Sequence, residues 1–239
     1  MLLAAAPLAV FTGLTFVSGS LPGFAPRADG IVSVAVGVAL VALAVGLLLP
    51  LRVLGSRILI VAAVALPLSA VFSLTGVVPV ANLCKVAGAT ALGFWIAVQL
   101  FELAGPTTGL SLVVAIAVVI PCIDIYSVFA GPTKAIVTRA PAALGYLTVA
   151  FPVAGYHCRD AYALGVSDII FFALFLASAA VFGLRVRATA AAMSASFVAT
   201  VAATLWWQAL PALPLLSVAF LAVNADLIWR GVVRPARAG

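Results

Sequence analysis

Of the six acidic residues in the chain, two stand inside strongly apolar stretches: Asp124 in PCIDIYSVF and Asp168 in LGVSDIIFF. An ionised side chain at membrane depth costs roughly 2.5 to 3.5 kcal/mol on insertion scales, so carboxylates on two successive apolar helices mark a place where chemistry is done. Their depths agree. Asp124 lies six residues before Ala130, where its stretch gives way to a loop, and Asp168 lies five residues after Ala163, where the next stretch begins. At about 1.5 Å per helical residue these offsets are about 9 and about 8 Å, which puts both carboxyls at one level of antiparallel neighbours. Two carboxyl groups held together in a low-dielectric site cannot both ionise cheaply, so one keeps its proton and the other remains a base. Such a pair can hydrolyse an amide. The base takes a proton from a water that attacks the carbonyl carbon, and the acid protonates the carbonyl oxygen and then assists the leaving nitrogen. This chemistry requires the two carboxyls to approach within one bridging water.

The elements that must position the pair are membrane helices. The chain has 239 residues, 66% hydrophobic and 8% charged, a balance no water-soluble domain of this length presents to solvent. The composition predicts an all-α polytopic membrane protein of about eight transmembrane helices: residues 2–17, 31–50, 58–78, 86–103, 108–130, 163–184, 188–206 and 211–229. Residues 1–107 then form an N-terminal scaffold of transmembrane helices, and 108–239 a half that carries both aspartates. The first stretch is read as a helix; Val17 and Gly19 would suit a signal-peptide cleavage site, but a positively charged leader is missing. Pro67 and Pro121 fall inside spans, where proline frees a carbonyl and bends the helix.

The net charge of +6 reads as topology and not as a nucleic-acid surface, because the twelve Lys and Arg cluster at span ends. Arg52, Arg57, Arg185, Arg187, Arg230, Arg234 and Arg237 fall on one side, and Arg27, Lys85, Lys134, Arg139 and Arg159 on the other. The majority places both termini in the cytoplasm of a multi-pass protein, with a microbial plasma membrane as the setting. Cys84, Cys122 and Cys158 are scattered and His157 is the single histidine, so neither a protein-bound metal nor a cofactor is expected. Cys84 and Cys122 read as small apolar packers, and His157 with Cys158 as loop. Asp160 reads as a helix N-cap, Glu102 as an interfacial span end, and Asp226 as the i+4 partner of Arg230. Trp206 and Trp207 read as interface aromatics, and Tyr126 faces away from Asp124. Between Gly131 and Asp160 the breakers Pro141, Gly145, Pro152 and Gly155 surround LGYLTVAF, which suits a short strand or hairpin and equally a loop at the membrane interface.

Ile123-Asp124 with Ser127-Val128 and Gly131-Pro132, then Leu164-Gly165-Val166-Ser167-Asp168, then Pro211-Ala212-Leu213-Pro214, follow one another in that order. The series resembles the presenilin and signal peptide peptidase family of intramembrane aspartyl proteases, marked by an Asp on one helix, GxGD on the next and PAL opening the last. The resemblance covers residues 121–229 and implies a presenilin-like bundle with Asp124 and Asp168 as catalytic acid and base. Gly165, Ser167, Pro211, Ala212 and Leu213 would border and hold the substrate, a single transmembrane helix or remnant signal peptide drawn from the lipid bilayer. The departures are Ile123 where the family has Tyr, Ser167 where it has a second Gly, and eight predicted spans where it has nine. Two other readings fit a carboxylate pair: a proton-coupled transporter, and a catalytically silent relative that binds membrane segments. A prepilin peptidase would share the GxGD-like site but not the terminal PALP.

Overall fold

The computed structural model describes residues 2–20, 26–151, 163–203 and 210–233, and almost all of them are helical. The helices are α1 (Leu2–Val17), α2 (Pro26–Leu48), α3 (Ile58–Leu74), α4 (Val78–Phe129), α5 (Pro132–Arg139), α6 (Pro141–Leu147), α7 (Val166–Val181), α8 (Val186–Ala203) and α9 (Leu213–Ile228). Two three-residue strands, β1 (Thr148–Ala150) and β2 (Ala163–Gly165), pair antiparallel with Thr148 opposite Gly165. The strand reading of LGYLTVAF thus holds for its TVA portion, while LGYL closes α6.

Among the described residues three helices are long and apolar enough to cross a membrane: Ile31–Leu74 (44 residues), Val78–Arg139 (62 residues) and Leu213–Val232 (20 residues). Eight separate spans are not recovered, because the joints stay helical. Residues 49–57 continue α2 into α3 as a 3-10 segment, and the expected gap at 104–107 lies within α4. The predicted spans at 2–17 and 163–184 become the shorter apolar helices Ala6–Val17 and Val166–Val181. A straight α4 of 52 residues would run about 78 Å, more than twice the hydrocarbon thickness. It does not run straight. Gly105 adopts φ 74°, ψ 179°, a conformation that only glycine enters freely, and the chain turns back there. A Cβ placed on Gly109 would lie 2.5 Å from the Leu100 carbonyl oxygen, whereas residues nine apart in a straight helix are separated by about 13 Å.

The core is built around α7. Positions 172 to 179 are buried without interruption, so over these two turns the helix has no outward face. Phe172 stacks on Phe197 of α8 with ring centroids 5.4 Å apart, and Phe175 on Phe220 of α9 at 4.7 Å. On its other side α7 meets α4 closely enough that a Cβ on Gly93 would lie 2.4 Å from the Ile170 carbonyl oxygen.

Beyond the far end of α7, Asn224 of α9 accepts from the Arg185 backbone N–H (3.0 Å) and donates to Thr189 Oγ1 (2.8 Å) and the Phe220 carbonyl (2.9 Å). The Arg185 guanidinium takes both oxygens of Asp226, at 2.6 and 2.9 Å, in place of the predicted Asp226–Arg230 pair. The turn into α8 packs on α9 and brings the Arg185 guanidinium onto both carboxylate oxygens as a bidentate pair. Cys122 is exposed rather than packed, and Cys84 is half-buried. His157, Cys158, Arg159, Asp160, Trp206, Trp207, Arg234 and Arg237 lie outside the described residues.

Asn224→Ala, which strips three bonds from a buried cluster, is expected to lower unfolding free energy by about 1 to 3 kcal/mol. Asp226→Ala, at an exposed pair, is expected to leave the unfolding midpoint in detergent within measurement error. The reverse order would show that the surface pair holds this end together.

Candidate active site

Asp168 is the third residue of α7, and β2 runs directly into that helix. The expectation of an aspartate five residues inside a helix is corrected here, because 163–165 is extended. Gly165, at φ −64° and ψ 142°, turns its backbone N–H back onto Asp168 Oδ2 at 3.1 Å. A helix N-terminus leaves its first N–H groups unpaired, and a carboxylate at the third position is placed to accept from the residue that precedes the helix.

Asp124 comes from the second limb of α4, five residues before its last residue, Phe129. The turn that follows is held by motif residues. Ser127 Oγ is 2.7 Å from Thr133 Oγ1 and accepts from the Thr133 N–H at 3.4 Å. Gly131 sits so close that a Cβ there would lie 2.9 Å from Ser127 Cα. Tyr126 is exposed, with its ring edge 3.1 Å from where a Gly131 Cβ would stand.

The PALP segment supplies the partner of Asp124. Pro211 and Ala212 precede the helix, and Leu213 is the first residue of α9. The first main-chain bond at this end runs from the Leu216 N–H to the Ala212 carbonyl (3.2 Å), so the Leu213 N–H has no intrahelical acceptor. It donates to Asp124 Oδ2 at 3.1 Å. The next residue, Pro214, has no N–H to satisfy. Thus a backbone amide, and not a side chain, brings the PALP segment to the first aspartate. The side chains of Ala212 and Leu213 are buried, Pro211 is half-buried, and Ser167 is exposed.

Both aspartates are half-buried, and Asp124 lies near enough to Asp168 for their charges to repel when both are ionised. Asp124, Asp168, Gly165 and Leu213 are therefore grouped as one candidate site, in which each carboxylate holds one backbone N–H at a helix N-terminus. Among the described residues no three His, Cys, Asp or Glu gather to hold a metal.

Two residues that sequence reasoning passed over stand beside this site. Lys85, counted from sequence among the basic residues at span ends, is only 2% exposed. Its Nζ donates to the carbonyls of Gly145 and Thr148, at 2.5 and 2.8 Å. Asn82, one turn earlier, donates from Nδ2 to the Ala150 carbonyl at 3.0 Å. The signal was present as a polar pair three apart in an otherwise apolar run, which puts both on adjoining parts of one helix face.

Comparisons with protein-family models, curated proteins and solved structures find no match to this chain.

A Cβ on Gly165 would lie 2.9 Å from Asp168 Oδ2, and the backbone angles there suit alanine. Gly165→Ala is therefore expected to fold with wild-type stability while its carboxylate swings aside. Any acid/base chemistry run by this pair should slow by about 10²-fold, the scale of a 1 Å misplacement. Full activity with a wild-type unfolding midpoint would show that the Gly165 contact does not set the position of Asp168.

Proposed function

We propose that this chain is an intramembrane aspartyl endopeptidase that hydrolyses peptide bonds within transmembrane helices or remnant signal peptides, with Asp124 and Asp168 as the acid/base pair. The observation that carries the reading is the 3.1 Å bond from the Leu213 N–H to Asp124 across 89 residues of sequence. It joins the first and third segments of the family-like series at the carboxylate that interacts with the second. One carboxylate, ionised, removes a proton from a water as the water oxygen attacks the scissile carbonyl carbon. The other, protonated, donates to the carbonyl oxygen, and the C–N bond then breaks as a proton passes to the leaving nitrogen. Pro211, with the backbone of Ala212 and Leu213, would border the substrate, and Gly165 and Ser167 would line its approach to Asp168.

In this reading the chain is multi-pass, with α1, α2, α3, the two limbs of α4, α7, α8 and α9 as eight passages. The reversal at Gly105 and the enclosure of α7 over residues 172–179 support that count. Both termini are assigned to the cytoplasm of a microbial plasma membrane, on the majority of basic residues.

The test is cleavage of a tagged transmembrane peptide by the purified protein in lipid, with Asp124→Ala and Asp168→Ala alongside wild type and Asp226→Ala as control. Each dyad variant is expected to lose about 10²-fold to 10⁴-fold or more in rate, the scale of positioned acid/base groups, while the control keeps its rate. Failure of folded wild type to cut a varied panel of membrane peptides would sink the protease reading. Asp-dependent proton uptake without cleavage would instead favour a transporter.

A further inference from the structure

Among the residues whose side chains are described, Lys85 is the buried cation, and its partners are two backbone carbonyls on the segment that leads away from Asp124. A buried ammonium that ends on carbonyls is retained at a cost in desolvation, which asks what those bonds secure. They fall on the last turns of α6 and the first residue of β1, and Asn82 takes the carbonyl of the last residue of β1. All three bonds originate from α4, so β1 is held at both ends against that helix. Its partner β2 ends at Gly165, the residue whose N–H holds Asp168.

The register makes the link short. Thr148 pairs with Gly165; the carbonyl of the first is taken by Lys85 and the amide of the second by Asp168. The lysine and the aspartate thus meet through a single cross-strand pair. A three-residue strand pair has little stability of its own, so its register depends on what pins it from outside. Without β1, Gly165 loses the strand partner opposite it that holds it extended at ψ 142°, the conformation from which its N–H reaches Asp168.

We infer that Lys85 is a positioning residue: from inside α4 it pins β1, and through the β1–β2 pair it keeps the Gly165 amide on Asp168. The catalytic consequence rests on the protease reading; the structural one does not. Lys85 is not itself a catalytic residue, since it acts through two strands.

Lys85→Met keeps the length of the side chain and removes its donors. In the full-length protein in lipid, amide hydrogen exchange at 148–150 and at Gly165 is expected to speed at least about tenfold, as local opening replaces protection. Asp168→Ala serves as the reference for a Gly165 amide that has lost its acceptor. The kcat for peptide cleavage is expected to fall by about tenfold or more, with KM within about twofold and the pH–rate profile displaced, since the aspartate environment changes and substrate binding does not. Asn224→Ala, a destabilised variant at the far end of the bundle, is expected to keep wild-type exchange at Gly165 and the wild-type pH profile. Unchanged exchange at Gly165 in Lys85→Met would overturn the inference whatever the activity. Equal acceleration in Lys85→Met and Asn224→Ala would overturn it too, by showing a general loss of stability. If wild type cleaves nothing, the protease reading falls, and exchange at Gly165 still decides the role of Lys85.

Discussion

A carboxylate placed among apolar helices needs hydrogen-bond donors that the helices themselves do not spend, and the rest of this architecture answers to that need. Inside a helix every N–H is committed to the carbonyl four residues back, so free backbone donors exist only at N-termini. The bundle brings two such ends to one place. Asp124 reaches the first N–H of α9, and Asp168 accepts from the residue that precedes α7. The positive end of each helix macrodipole adds to the same effect. The pair is thus held by main chain, through one oxygen of each carboxylate.

Meeting that need dictates where the helices begin and turn. α7 has to start at the site and then run through the middle of the bundle, which its uninterrupted buried stretch and the stacked Phe172–Phe197 and Phe175–Phe220 pairs permit. α9 has to start at the same level, and Pro211 with Pro214 keeps the chain from continuing as helix in front of Leu213. α4 has to deliver Lys85 and Asn82 on one limb and Asp124 on the other, which is possible only because Gly105 lets it reverse. The two limbs then hold the site from different directions: one carries a catalytic candidate, the other the clamp on β1.

The aspartates, the PALP segment and the helical class were legible because each rests on local signals: an ionisable residue in an apolar run, a proline at a helix start, composition. What was not legible depends on partners distant in sequence. Asp226 has an arginine at i+4 and another 41 residues away, and only packing of the α7–α8 turn on α9 decides between them. Lys85 looked like an interfacial charge, since nothing near it in sequence reveals that residues 145 and 148 fold over it. The span boundaries were not legible for a different reason. Hydropathy sees a gap wherever polarity rises, but helical geometry continues through Leu49–Arg57 and is broken at Gly105 only by a backbone angle.

The departure at position 167 has a physical explanation in this geometry. The family-like motif has two small positions ahead of the aspartate, and the chain keeps glycine at 165 but carries serine at 167. A side chain at 165 would start 2.9 Å from the Asp168 carboxylate, whereas Ser167 lies within the first turn of α7 and its side chain is exposed. Glycine is needed where a Cβ would strike the carboxylate and is dispensable at 167, whose exposed side chain carries its Oγ 3.3 Å from where a Gly165 Cβ would stand. Neither position has a positive φ, so the constraint is space and not backbone freedom. A serine at 167 is then compatible with the Gly165–Asp168 contact, because its hydroxyl stands beside Gly165 and takes no part in that bond.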